Sequence, residues 1–326
     1  MPATAKRPVV IVTRRLPDAV ESRLQELFDV RLNDSDRPFS AEELAEAMGT
    51  ADGVLCTVSD PITAAIFAGG SRVRILANFG VGYNHIDVDA ARRAGVVVTN
   101  TPGVLTEATA DIAIALMLMV ARRLGEGERE LRAGQWSGWR PTHMLASDVA
   151  GQILGIVGLG RIGKAVAKRA HAGFGMQVLS YTPRPVSEAD AALLGVRQVR
   201  TLAELLGAAD FVSLHCPVAP ETKHLMNLAR LRQMKSTAYL INTARGDVVD
   251  QEALIRVLEE RTIAGAGLDV YEGEPSVPEP LKHMENVVLL PHLGSATLTT
   301  REAMGMKAVE NLRSYFDSGV APDRVG

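Results

Sequence analysis

Two cysteines in 326 residues, Cys56 and Cys216, leave nothing from which to build a disulfide framework or a cysteine metal site. They lie far apart in the apolar runs VLCTV and SLHCP and read as core thiols of a reducing compartment. Aromatic residues are scarce at 4%, and 35 Lys plus Arg against 38 Asp plus Glu leave a formal charge of −3, so no basic excess argues for nucleic acid or an anionic membrane. Long hydrophobic runs are missing as well. The longest, Ile112 to Ala121, is about half of the roughly 20 residues a membrane helix needs, and Val9–Val12 is too short for a signal-peptide core. What remains is a cytoplasmic chain whose partner is a small molecule, with no metal cluster, no nucleic acid and no membrane.

At roughly 150 residues per domain the length favours two domains, and a 47% hydrophobic content can supply both cores. Short β-branched runs alternate with amphipathic stretches from end to end, which predicts an α/β protein of two doubly wound parallel-sheet domains. The first set of strands is expected at Val9–Thr13, Val30–Leu32, Gly53–Val58, Val73–Ala77 and Val96–Thr99. A long apolar helix from Thr106 to Arg123, then GEGEREL and the loop AGQWSGWRP, reads as the crossing between domains. The second set is expected at Gln152–Val157, Gln177–Tyr181, Phe211–Leu214, Ala238–Ile241, Ala264–Leu268 and Val287–Leu290. A final helix, from about Ala296 to Asp317, carries Met304, Met306, Val309, Leu312 and Phe316 roughly on one side and is expected to return to the first domain. The expected division is therefore 1–103 with 297–326 as a discontinuous substrate domain around a dinucleotide-binding domain of 104–296.

The sharpest local signal is ILGIVGLGRIG, in which Gly158, Gly160 and Gly163 follow a predicted strand and open a predicted helix. The first glycine permits a tight turn, the second lets backbone approach a pyrophosphate, and the third allows close helix packing. An NAD-preferring site carries Asp or Glu at the end of the next strand, about 20 residues on. Here the strand ends VLSY and continues Thr182-Pro183-Arg184-Pro185, with no acid to repel a 2′-phosphate. NADP(H) is the preferred cofactor on this reading, with Arg184 as phosphate partner and NAD(H) still possible. The bland alternative makes Arg184 a solvated loop cation.

Three later segments each place a polar residue beside a strand end: INTARG, LDVYEGEP and LPHLGS. Reduction of a 2-oxo acid needs a cation to hold the carboxylate and polarise the carbonyl, a hydride donor, and an acid for the new alkoxide. Arg245 suits the first role and His292 the third, and Glu274 is the natural carboxylate partner of the imidazole. Taken singly they also read as a helix-capping arginine, a loop acid and a core histidine.

Together, VGLGRIG, NTARGDVVDQEAL, GAGLDVYEGEP and LLPHLGSAT resemble the D-isomer-specific 2-hydroxyacid dehydrogenase family over nearly the whole chain. The resemblance implies a Rossmann-type dinucleotide domain, a flavodoxin-like substrate domain and an inter-domain cleft, with Arg245, Glu274 and His292 as catalytic residues. It assigns the substrate carboxylate to the amides of Val81 and Gly82 in NFGVGYNHID, an anion nest in physical terms. Thr109, Gly158, Leu159, Gly160, Arg161, Ile162, Thr182, Arg184, His215, Cys216, Pro217, Thr222, Thr243, Ala244, Arg245, Asp269, His292 and Gly294 are the implied cofactor contacts. Ser59 and Asp60 in VSDPIT, the connector WSGWRP and the missing ribose acid resemble the glyoxylate and hydroxypyruvate reductase branch, which places Ser59 at the substrate.

Two departures from the family pattern stand out, Tyr271 where Phe is usual and Pro183 in the ribose loop. Members acting on formate carry Gln in place of Glu274, which disfavours that reaction here. The expected activity is reduction of glyoxylate and hydroxypyruvate with NADPH, giving the D-hydroxy acid where a stereocentre results. The rivals are reduction of bulkier 2-oxo acids such as phenylpyruvate, and a non-catalytic dinucleotide sensor on the same fold. A homodimer is the expected assembly, with Trp139 either reaching a neighbouring subunit or packing within its own loop.

Overall fold

The computed structural model describes residues 6–326. The chain divides into two compact units: one runs up to Leu105 and resumes over Thr297–Gly326, and the other is Thr106–Ala296. The first opens with β1 (Val9–Val12), four buried β-branched residues suited to a strand covered on both faces. It continues through α1 (Asp18–Leu27), β2 (Asp29–Arg31), α2 (Ala41–Thr50), β3 (Gly53–Thr57), β4 (Ile75–Phe79), α3 (Val88–Arg93) and β5 (Val97–Thr99). Side chains fix where its helices begin: the Ser40 hydroxyl accepts from the Glu43 N–H and the Asp87 carboxylate from the Ala90 N–H.

The second unit begins with α4 (Thr106–Ala121) and α5 (Leu124–Arg132). It then alternates β6 (Ile153–Val157), α6 (Arg161–Phe174), β7 (Gln177–Tyr181), α7 (Glu188–Leu194), β8 (Val196–Gln198), α8 (Leu202–Ala208) and β9 (Phe211–Leu214). It closes with α9 (Leu228–Leu231), β10 (Tyr239–Asn242), α10 (Gln251–Glu259), β11 (Gly265–Leu268), α11 (Glu279–His283) and β12 (Val287–Leu289). The seven strands are parallel in the order β12-β11-β10-β9-β6-β7-β8. This is the doubly wound dinucleotide order with one added strand, and it reverses between β6 and β9, where ligands sit beyond the carboxyl ends of such sheets. Apolar side chains cover both faces: β6 sends Leu154 and Ile156 into one core and Val157 into the other.

The chain returns to the first unit through α12 (Leu298–Ser318) and β13 (Arg324–Val325). Thr297 caps the start of α12, and Gly319 in the left-handed region ends it. Met304, Ala308, Val309 and Leu312 of α12 are buried in the core shared with Val20 and Leu24 of α1 and Ile75 and Ala77 of β4. Met306 is exposed instead of joining them, because two residues beyond Met304 is about 200° around a helix. The first sheet runs β13-β5-β4-β3-β1-β2, the flavodoxin order with an antiparallel edge strand at β13.

Three local readings change. β4 lies two residues later than expected, and β8 and β13 were not expected at all, since VRQ and RV each carry a single apolar residue. GEGEREL lies wholly within a helix: α5 buries none of its residues and carries the pairs Arg123–Glu126 and Arg132–Glu128, so apolar periodicity gives no sign of it.

Candidate active site

The turn between β6 and α6 divides its work among three glycines. Gly158 has φ +96°, and a Cβ there would lie 2.8 Å from the backbone of His215 and Cys216. A Cβ on Gly163 would meet the Gly158 carbonyl oxygen at 2.3 Å, so helix and strand pack through bare backbone. Gly160 faces nothing within 4 Å, and α6 starts there with no side chain capping its first amides. Open space before uncapped N–H groups is what a pyrophosphate requires. The side chains of Leu159 and Ile162 pack into the core, so only their backbone can face a ligand, whereas Arg161 is exposed.

Across β9, the His215 N–H donates to Val157 O at 2.8 Å, and Nε2 lies 2.8 Å from Ser213 Oγ. Burial pushes the His215 pKa down to about 4, so its ring is neutral near pH 7, and burial pushes the half-buried Cys216 thiol up to about 11. Thr222 Oγ1 accepts from the Ala219 N–H and donates to Pro217 O, which staples the loop that follows. The Thr243 hydroxyl just past β10 is buried without a partner, a polar atom left for a ligand. The segment Thr182–Val186 leaves β7 with the Arg184 side chain exposed.

Arg245, Glu274 and His292 stand beyond the ends of β10, β11 and β12. Asn242 shapes the first loop: its Oδ1 accepts from the Ala244 N–H and its Nδ2 donates to Arg245 O. Arg245 donates through Nη1 to Ala244 O at 2.7 Å. Burial lowers the Arg245 pKa, while the charges of Glu274 and Asp247 oppose that. The next residue must be glycine, because a Cβ on Gly246 would fall 1.9 Å from the Tyr271 carbonyl carbon. This contact presses the Arg245 loop onto the chain that leads to Glu274.

Glu274 receives the Tyr271 N–H on Oε1 at 3.0 Å and His292 Nδ1 on Oε2 at 2.8 Å. An ionised carboxylate only accepts, so Nδ1 carries the proton and Nε2 is the nitrogen left to exchange one. Burial alone would raise the Glu274 pKa, but the bond and charge of His292, the Tyr271 N–H and Arg245 bring it below the ordinary carboxylate value. His292 itself has φ +56°, an unusual conformation for a residue with a Cβ.

What holds that backbone was not evident from the motifs. Buried Asp269 accepts the N–H of Leu293 on Oδ1 at 2.6 Å and that of Gly294 on Oδ2 at 2.8 Å, while Thr109 Oγ1 donates to Gly294 O at 3.0 Å. Burial raises the Asp269 pKa against the pull of these amides and His292. The Tyr271 hydroxyl lies 2.9 Å from Leu290 O and 3.3 Å from Leu268 O and ties the ends of β11 and β12 together. Asn242 and Tyr271 are thus site residues that sequence reasoning did not assign; a polar residue ending an apolar strand was the available signal for Asn242.

In the first unit, Asn78 Nδ2 donates to the carbonyls of Gly80 and Gly82, Asn100 Nδ2 to that of Val81, and the Thr101 N–H to Gly80 as well. With the carbonyls tied, the N–H groups of Val81 and Gly82 have no hydrogen-bond partner among the described residues. Adjacent unpaired N–H groups of this kind are able to receive an anion. Ser59 Oγ lies 2.8 Å from Thr57 Oγ1 and 3.3 Å from Arg14 Nη1, while Asp60 is buried and accepts from Thr13 and Thr57.

Residues 114–294 match the family described as D-isomer specific 2-hydroxyacid dehydrogenase, NAD binding domain. The chain is 46% identical over 321 residues to a glyoxylate reductase of Korarchaeum cryptofilum, covering 98% of this chain and 96% of that one. It is 45% identical over 323 residues to a glyoxylate reductase of Thermococcus kodakarensis, with the same coverage. Among solved structures, the TT0316 protein of Thermus thermophilus superposes with TM-score 0.87 at 44% identity, covering 98% of this chain and 100% of that chain. An NADPH-dependent glyoxylate/hydroxypyruvate reductase of Sinorhizobium meliloti, in complex with NADP and malonate, gives 0.85 at 36%, covering 98% and 97%. The chain belongs to the D-isomer-specific 2-hydroxyacid dehydrogenases.

Proposed function

We propose that this chain reduces small 2-oxo acids, glyoxylate and hydroxypyruvate foremost, to 2-hydroxy acids, with NADPH preferred over NADH. The observation that carries this reading is the Glu274–His292 pair at 2.8 Å, beside a half-buried guanidinium at the carboxyl end of a dinucleotide-type sheet. A nicotinamide dinucleotide held at the turn between β6 and α6 would supply the hydride that reduces the carbonyl carbon. Arg245 holds the carboxylate and draws electron density toward the carbonyl oxygen, and the family resemblance assigns the amides of Val81 and Gly82, together with Ser59, to the carboxylate. His292 Nε2 gives its proton to the new alkoxide oxygen and is recharged from solvent. Glu274, bonded to Nδ1, fixes which nitrogen does this.

The preference for NADPH rests on the loop after β7, which has a guanidinium and no carboxylate. A homodimer in the cytoplasm belongs to the same proposal. Trp139 is 82% exposed and Trp136 52%, with Leu131 and Leu145 also exposed near them in sequence, an apolar surface suited to a second copy. Among the described residues no helix is long and apolar enough to cross a membrane.

The test is the initial rate of nicotinamide absorbance loss on glyoxylate, hydroxypyruvate and phenylpyruvate, with NADPH and NADH side by side. The expected result is the highest kcat/KM on the two small acids with NADPH. Faster turnover of phenylpyruvate moves the reading to bulkier acids. Tight dinucleotide binding with no turnover of any acid replaces the enzyme by a sensor.

A further inference from the structure

The loop after β7 cannot organise itself. Pro183 and Pro185 lack N–H groups, and each pushes the residue before it, Thr182 or Arg184, toward extended backbone. A five-residue segment of that kind makes no internal turn bond, so its shape must come from elsewhere. Val186 packs on the core at its far end, and every hydrogen bond that shapes the segment comes from one side chain. Gln198, the last residue of β8 and the register partner of Ser180 on β7, accepts the Val186 N–H on Oε1 at 2.9 Å. Its Nε2 donates to Thr182 O and to Arg184 O, both at 3.1 Å. Both amide protons and the amide oxygen are thus committed to the backbone on either side of Arg184. The Val199 N–H adds a bond to Ser180 O and fixes the end of β8 against β7.

Arg184 is the opposite case. Its backbone is held on both sides, while its guanidinium has no hydrogen bond or ion pair among the described residues. The carboxylate of Asp190, on the following helix, is taken by Lys164 Nζ at 2.6 Å and by Ser187 Oγ at 2.9 Å. A cation with a fixed base and a free head is preorganised for an incoming anion, because ordering of its loop does not have to accompany binding.

We infer that Gln198 is the positioning residue for cofactor choice: by holding Thr182–Val186 it presents Arg184 to the 2′-phosphate of NADPH. This rests on the reading of Arg184 given above. It adds that the selectivity resides in a β8 side chain outside every recognisable motif.

The experiment is fluorescence titration of NADPH and NADH into the wild type, Gln198→Met, Arg184→Ala and the double variant, with thermal melts of each. Methionine keeps the length of the side chain and removes its three hydrogen bonds. Gln198→Met is expected to weaken NADPH about tenfold, the order of one charge-assisted contact. NADH is expected to weaken much less, with little change in Tm, and the double variant should be no weaker for NADPH than Arg184→Ala. If Arg184→Ala loses NADPH selectively and Gln198→Met does not, the inference fails while the role of Arg184 stands. If Arg184→Ala leaves NADPH binding unchanged, the role of Arg184 falls and takes the inference with it. Equal weakening of both cofactors by Gln198→Met also overturns the proposal, since the glutamine would then support the unit as a whole.

Discussion

Two loops leave the same end of the same seven-stranded sheet, and they are held in different ways. The segment around His292 is fixed by Asp269 and Thr109 on Leu293 and Gly294 and by Tyr271 on Leu290, all buried or partly buried, and by the exposed bond of Glu274 to the imidazole. The segment around Arg184 is held by the hydrogen bonds of one exposed glutamine and by Val186 on the core. Hydrogen bonds to charged groups away from water contribute about 1.5–3 kcal/mol each, against roughly 0.5–1.5 for ordinary ones. The first loop therefore resists single changes and keeps its strained His292 in place, whereas the second can be re-aimed by one substitution. On the roles proposed above, chemistry sits where the backbone is over-determined, and cofactor choice where it is adjustable.

The largest break in that comparison is His292→Asn. Asparagine tolerates the left-handed backbone that His292 adopts at φ +56°, so the loop survives while the proton donor is lost. We expect kcat to fall by ~10²–10⁴-fold with dinucleotide affinity nearly unchanged. Stopped-flow rates and a parallel fluorescence titration separate the two. Loss of cofactor binding with an unaltered single-turnover rate would falsify the assignment of His292 as general acid.

Asp269→Asn tests the restraint and not the chemistry. An amide can receive only one of the two N–H groups on its oxygen and turns donors toward the other, so a buried charge-assisted bond is lost. The expectation is a fall in kcat of about tenfold, from a stability loss near ~1–3 kcal/mol in the His292 loop. Hydrogen exchange should increase at Leu293 and Gly294. A fall in Tm with normal turnover would mean that the carboxylate only supports the fold.

The centre of the sheet offers a pH test. Burial lowers the His215 pKa from 6.5 to about 4, so the unfolded chain takes up a proton before the folded one does. The full stability is present above about pH 6.5 and declines as pH falls toward 4. The shift sets an upper bound of about 3 kcal/mol, reduced by the partial exposure of the ring. Melts from pH 8 to 4.5 should show a slope that flattens in His215→Gln; an unchanged slope removes His215 as its source.

How much of this was open to a sequence reader depends on distance along the chain. Gly158, Gly160 and Gly163 lie within six residues, and Arg245, Glu274 and His292 each sit in a motif at a strand end, so the dinucleotide turn and the candidate acid–base pair could be named from pattern. Asp269 with Gly294, and Thr109 with Gly294, are pairs whose partners stand 25 and 185 residues apart, and only the folded sheet brings them together. Strand order follows from the βα rhythm because parallel crossovers leave few choices. β8 escaped because VRQ carries a single apolar residue, and with it escaped Gln198, whose proposed role lies in what its amide touches.

The smallest expected effect belongs to Tyr271→Phe, which replaces the departure from the family pattern by the usual residue. The ring stays in its core, and the backbone N–H still holds Glu274, so only the O–H bridge to Leu290 O and Leu268 O is removed. Burial raises the tyrosine pKa, which keeps the hydroxyl protonated as a donor throughout the working range. One neutral hydrogen bond contributes about 0.5–1.5 kcal/mol, so we expect kcat to drop only about two- to tenfold, with KM for the oxo acid unchanged. A drop in Tm without any in kcat would show that the bridge stabilises the strand ends and leaves His292 where it was. That result would sharpen the contrast with Gln198: the catalytic loop would then be redundantly held, able to lose a whole restraint without losing its geometry, while the cofactor loop depends on a single side chain.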